Sequence, residues 1–120
     1  MKETQTIIFN VQTIKKLILN YYKKYFKDTN LNIKYNVFEG GDYSLDRVEI
    51  TITRKIKIGD YEALSENLLS DDDVINVLNE ELEKYGYKIS FSHFIINNNI
   101  WNGITTTLEK IKVNKKVLEK

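Results

Sequence analysis

The chain has no cysteine, no proline, and only one histidine, one tryptophan and one alanine among its 120 residues. Without Cys, disulfide frameworks, thiolate metal sites and cysteine nucleophiles are excluded. The single histidine, His93, has no Ser or Asp partner that spacing assigns to it. Nucleophilic catalysis needs a base within hydrogen-bond reach of its nucleophile, so His93 reads as a core or border histidine. No apolar run approaches the ~20 residues of a membrane-spanning helix. The first residues, Met1 to Thr6, lack the charged, then apolar, then small pattern of a signal peptide. The expectation is a soluble, cytoplasmic protein with no membrane partner. Sixteen Ile, sixteen Lys and thirteen Asn against two Arg point to an AT-rich coding genome, a habit of many bacteria, phages and plasmids.

What is present is ordinary in amount and unusual in arrangement. With 42% hydrophobic and 29% charged residues the chain is globular rather than disordered. Its length suits one domain, taken as residues 1–113, followed by a Lys-rich tail over 114–120. The formal charge of +1 hides a segregation. From Ile58 to Glu83 there are nine acids and no Lys or Arg, whereas both flanking segments are net basic. Segregated charge creates a local field that steers partners even when the molecule as a whole is balanced.

Periodicity sets the elements. Thr4–Phe9 alternates weakly and reads as a strand that need not form. Asn10 caps a helix from Val11 to about Lys27, whose stripe of Ile14, Leu17, Ile18, Tyr21, Tyr22 and Tyr25 recurs at three- and four-residue spacing. Leu31–Val37 and Val48–Ile58 alternate with period two and form a half-buried antiparallel hairpin around Glu39-Gly40-Gly41-Asp42. Arg54 sits in register with the apolar set of the second strand. Tyr61–Leu69 reads as a short helix. Ser70, followed by Asp71, Asp72 and Asp73, caps a further helix that Gly86 ends. Tyr87, Ile89, Phe91, His93 and Ile95 make one face of the next strand, and a last strand covers about Ile104 to Val113. Asn102-Gly103 is the strongest hairpin signal between them, with the triplet Asn97–Asn99 as the alternative turn. The fold class is α+β, an antiparallel sheet with two helices on one face in the order (β)αββαββ. If the first strand forms, the wiring is ferredoxin-like with an added C-terminal strand; if not, the chain is two αββ halves.

Motifs with a chemical mechanism are few. Asp71–Asp73 lacks the alternating ligands and turn glycine of a calcium loop, and a helix N-terminus accounts for three acids. Gly40-Gly41 precedes no helix and no Lys-Ser/Thr, so it is a turn and not a phosphate cradle. Glu39, Asp42, Asp46, Glu49 and Glu109 would have to converge for acid–base work, and spacing does not bring them together. No catalytic residue, metal site or cofactor is expected. RNA-recognition motifs share the βαββαβ order but stack bases on strand aromatics, whereas Val48–Ile58 offers Glu49, Thr51 and Thr53. The chain is not assigned to that family.

Two functional readings remain. The first is a non-catalytic, protein-binding accessory or inhibitory module, such as a phage or plasmid encodes. It would act on a partner with a basic surface through Asp60, Glu62, Glu66, Glu80, Glu81 and Glu83, with Trp101, near a hairpin tip, either as anchor or folded back over the open end of the core. The alternative is nucleic-acid binding through Lys23, Lys24, Lys27, Lys55 and Lys57. The acids also have an internal use, as mates of the lysine-rich first helix, each exposed pair contributing ~0–1 kcal/mol. Exposed strand residues such as Thr51, Thr53, Thr105 and Thr107 leave a dimer open.

Overall fold

Eight elements follow one another: β1 (Thr4–Phe9), α1 (Val11–Lys23), β2 (Asn32–Phe38), β3 (Arg47–Ile58), β4 (Tyr61–Leu69), α2 (Asp71–Glu83), β5 (Tyr87–Asn97) and β6 (Ile100–Lys110). The computed structural model describes residues 4–26, 31–38, 40 and 47–111. The tail 114–120, Lys27 and most of the β2–β3 turn lie outside the described residues.

Both helices begin as their sequences dictate. Asn10 accepts the Thr13 amide at 2.8 Å. At α2 a reciprocal capping box forms, in which the Asp73 amide donates to the Ser70 hydroxyl and the Ser70 amide to the Asp73 carboxylate. Asp71–Asp73 therefore complement the positive end of the helix dipole.

The class is α+β, with β1 formed; the expected elements follow in the expected order, with one further strand, β4, between β3 and α2. The sheet, however, is divided. One three-stranded antiparallel sheet runs β1-β6-β5 and the other runs β2-β3-β4. The difference comes from Tyr61–Leu69, which is strand β4 and not a helix. Its Glu, Ala and Leu residues favour helix, but pairing along β3, from Ile58↔Tyr61 to Ile50↔Leu69, overrides that preference. With β2 on one side of β3 and β4 on the other, no edge of β3 remains for β1. The first strand pairs with β6 instead.

α1 and α2 lie side by side, and α2 touches β3, β4 and β5. One core joins all these parts: Ile14 and Ile18 from α1, Val48, Ile50 and Ile52 from β3, Val74, Val77 and Leu78 from α2, and Trp101 and Ile104 from β6. Arg54, in register with the inward side of β3, stacks its guanidinium 4.1 Å from the centre of the Phe26 ring. Its Nε has no hydrogen-bond partner among the described residues.

The β5–β6 hairpin corrects two further expectations. The turn is at Asn98-Asn99, both with positive φ (51° and 62°), the left-handed pair that a two-residue hairpin requires. Gly103 lies inside β6 at φ +126°, where a Cβ would collide with the carbonyl oxygen of Phe9. Glycine is therefore needed here for close approach of two backbones, not for a turn. A bulge between Ile89 and Phe91 shifts the register, so that Phe91 and His93 fall on the opposite face from Ile89. The Ile89 amide beside the bulge donates to Asn79 of α2 at 2.7 Å. His93 is consequently exposed opposite Thr105, and is not a core histidine.

Candidate functional site

The outward side of β2-β3-β4, opposite the core, forms a groove of about 550 Å³. Strand register arranges its floor in rows: Asn36 beside Glu49; Lys34, Thr51 and Leu68; Asn32, Thr53 and Glu66. Alternation does this directly, since every second residue of three neighbouring strands turns away from the core. The centre is polar, and the Thr53 hydroxyl reaches the Asn32 carbonyl at 3.5 Å. On the β4 side Leu64 and Leu68, about 60% exposed (59% and 62%), stand on either side of Glu66.

Beyond the core the β3–β4 hairpin projects to a Gly59-Asp60 turn. On its inward side Ile58 (62% exposed) and Tyr61 (79% exposed) face each other across the ladder with no described core residue to cover them. Ile58, Tyr61, Leu64 and Leu68 account for four of the ten large hydrophobic side chains exposed among the described residues. Asp60, Glu62 and Glu66 alternate with them along the same hairpin, and Glu62 stands opposite Lys57.

The acids expected to act together are thus split into two environments. Glu62 and Glu66 are exposed on β4, and Glu80 and Glu83 on α2. Glu81 is buried at 4% exposure and receives Lys24 at 2.9 Å and Lys84 at 2.8 Å. Burial pushes the Glu81 carboxyl up, but the two lysine hydrogen bonds outweigh it and hold the group below its ordinary value. This carboxylate is consumed inside the molecule and offers nothing to a partner. Glu80 acts on Tyr21, whose phenol is raised well above its ordinary value by hydrogen bonding with Tyr25, then with Glu80, and by burial.

Trp101 is likewise internal. At 2% exposure its ring meets Tyr35 of one sheet edge-on at 5.2 Å and Phe94 of the other in a stacked arrangement at 6.0 Å. Its indole N–H donates to the Gly103 carbonyl at 2.9 Å. Trp101 bridges the two sheets and is not a surface anchor.

Among the described residues the lysines of the nucleic-acid reading do not share a face. Lys24 is tied to Glu81, Lys27 lies outside the described residues, and Lys55 and Lys57 point to the outward side of β3, away from α1 and Lys23. Among the described residues no group of three or more His, Asp or Glu is placed to hold a metal ion. No described helix is long and apolar enough to cross a membrane. Sequence reasoning missed the hairpin and its groove because it took β4 for a helix. The available signal was the two-residue separation, Gly59-Asp60, between Ile58 and Tyr61. No family model, curated protein or solved structure matches this chain.

Proposed function

We propose that this chain is a small non-catalytic module that binds another protein through the β3–β4 hairpin and the groove beside it, as an accessory or inhibitory factor. The observation that carries the reading is the concentration of Ile58, Tyr61, Leu64 and Leu68 at the surface of one hairpin, with Asp60, Glu62 and Glu66 between them. Covering apolar surface recovers about 25 cal/mol per Å². Aromatic and aliphatic anchors within a charged rim are the composition of a protein interface. Exposed acids on this hairpin favour a partner with a basic surface, one that a phage or plasmid inhibitor would use to block a nucleic-acid groove.

The test is capture from lysates of the cells that encode the chain. The wild type should retain a specific protein that Tyr61→Asp/Leu68→Asp loses, while Phe91→Asp, on the outer face of the other sheet, retains it. Equal capture by the hairpin variant removes the reading. Release of the captured material by nuclease would instead favour the nucleic-acid alternative.

A further inference from the structure

Among the described residues the two sheets present four edge strands: β1, β5, β2 and β4. A free edge offers a row of backbone N–H and C=O groups to any other strand, and proteins block this with short strands, bulges, lysine or proline. β1 is only six residues long. The register of β5 is broken by irregularities at Ile89/Phe91 and Ile95/Ile96. β2 carries Lys34. β4 is the least guarded of the four: it is nine residues long, pairs with β3 in unbroken register, contains no Lys, Arg or Pro, and has Glu62 and Glu66 as its only charges.

The two faces of β4 also differ in chemistry. Glu62 and Glu66 lie on its outward side together with Leu64 and Leu68, whereas its inward side, with Tyr61 and Ala63 beside Ile56 and Ile58 of β3, carries no charged residue. A strand laid along β4 sends alternate side chains to these two faces. Basic residues on one side would meet Glu62 and Glu66, and apolar residues on the other would cover Tyr61 and Ala63. A second copy of β4 fits poorly, because it brings four glutamates onto one face.

Resting on the protein-binding reading above, we propose that the partner supplies an extended segment in which Lys or Arg alternates with apolar residues, and that this segment adds to the β4 edge as a fourth strand. Main-chain hydrogen bonds hold it, and the alternation of charge selects it.

The probe is the peptide acetyl-Lys-Val-Lys-Val-Lys-Val-Lys-amide, titrated into the isotope-labelled chain and followed by amide chemical shifts and hydrogen exchange. Shift changes and slowed exchange should concentrate on Tyr61–Leu69. A twin peptide N-methylated at alternate residues keeps its charge but cannot pair, and should bind about ten-fold more weakly or worse. Glu62→Lys/Glu66→Lys should weaken the unmodified peptide by a similar factor with an unchanged circular dichroism spectrum. Should that variant misfold, Glu62→Gln/Glu66→Gln makes the same comparison with a smaller loss. Equal binding of the N-methylated twin, shifts centred on Glu80 and Glu83, no binding at all, or concentration-dependent pairing of β4 with β4 would each overturn strand addition. If the peptide fails while capture still depends on Tyr61 and Leu68, only strand addition falls. If capture fails too, both readings fall.

Discussion

The seam between α1 and α2 and the β3–β4 hairpin draw on the same acid-rich stretch of sequence and use it in opposite ways. At the seam Glu81 is buried, fixed by Lys24 and Lys84, and serves to hold the helices together. On the hairpin Glu62 and Glu66 remain exposed and share a strand with uncovered Leu64 and Leu68. The difference teaches that a block of like charge in sequence is not one feature. What decides its role is whether a neighbouring element brings counter-charges within reach and removes the water.

The comparison is broken most severely at the core. Trp101→Ala should cost about 3–5 kcal/mol, because the ring that joins the sheets is replaced by a void. Tyr61→Ala, on the hairpin, should stay within ~0.5 kcal/mol. Urea denaturation followed by circular dichroism measures both, and a similar loss for the two would mean that the hairpin is part of the core. Next comes Gly103→Ala, where positive φ and the collision with Phe9 predict a loss of roughly 1–3 kcal/mol by the same measurement. A neutral result would show that β1 can move away from β6.

A smaller effect belongs to Glu81. Its folded pKa lies below its ordinary value of 4.5, so its contribution is complete above that value and is lost as pH falls through the lower folded value. Glu81→Gln should reduce stability at neutral pH by about 1 kcal/mol, since both lysines stay half in water. It should also flatten the acid limb of the stability–pH curve. Glu62→Gln/Glu66→Gln should leave that limb as it is, and denaturation scans between neutral and acid pH separate the two outcomes. Smallest of all is the expectation for Lys55→Glu/Lys57→Glu, which should change the binding of single-stranded oligonucleotides no more than the wild type's own weak, salt-sensitive background. A steep salt-dependent affinity lost in this variant would favour the nucleic-acid reading over the protein-binding proposal.

Local chemistry made much of the fold legible. Asn10 and Ser70 mark the helix starts because their side chains have one obvious donor to satisfy. β2 and β3 declare themselves by alternation. Non-local pairing was hidden. Tyr61–Leu69 has apolar residues compatible with either period, and only the neighbouring β3 decides between them. The bulge at Ile89/Phe91 is held by an Asn79 contact that no spacing announces, and it moved His93 from the core side to the surface. The candidate site suffered most, since its edge strand is the one element assigned the wrong type. Asp60, Glu62 and Glu66 were visible as acids but not as the rim of a strand edge.

The pairing of β1 with β6 also sets an order of events. The Thr106 hydroxyl meets the Ile7 carbonyl across 99 residues of sequence. Contacts of such separation slow folding, because the intervening chain must be ordered first. At translation rates of about 5–20 residues per second, β1 therefore waits roughly 5–20 s on the ribosome before its partner exists. During that interval Ile7 and Phe9 have no ladder to join, whereas β2, β3 and β4 are already able to pair. All three strands of the β2-β3-β4 sheet precede β5 and β6 in the chain, so that sheet is able to form before the sheet that joins β1 to β6.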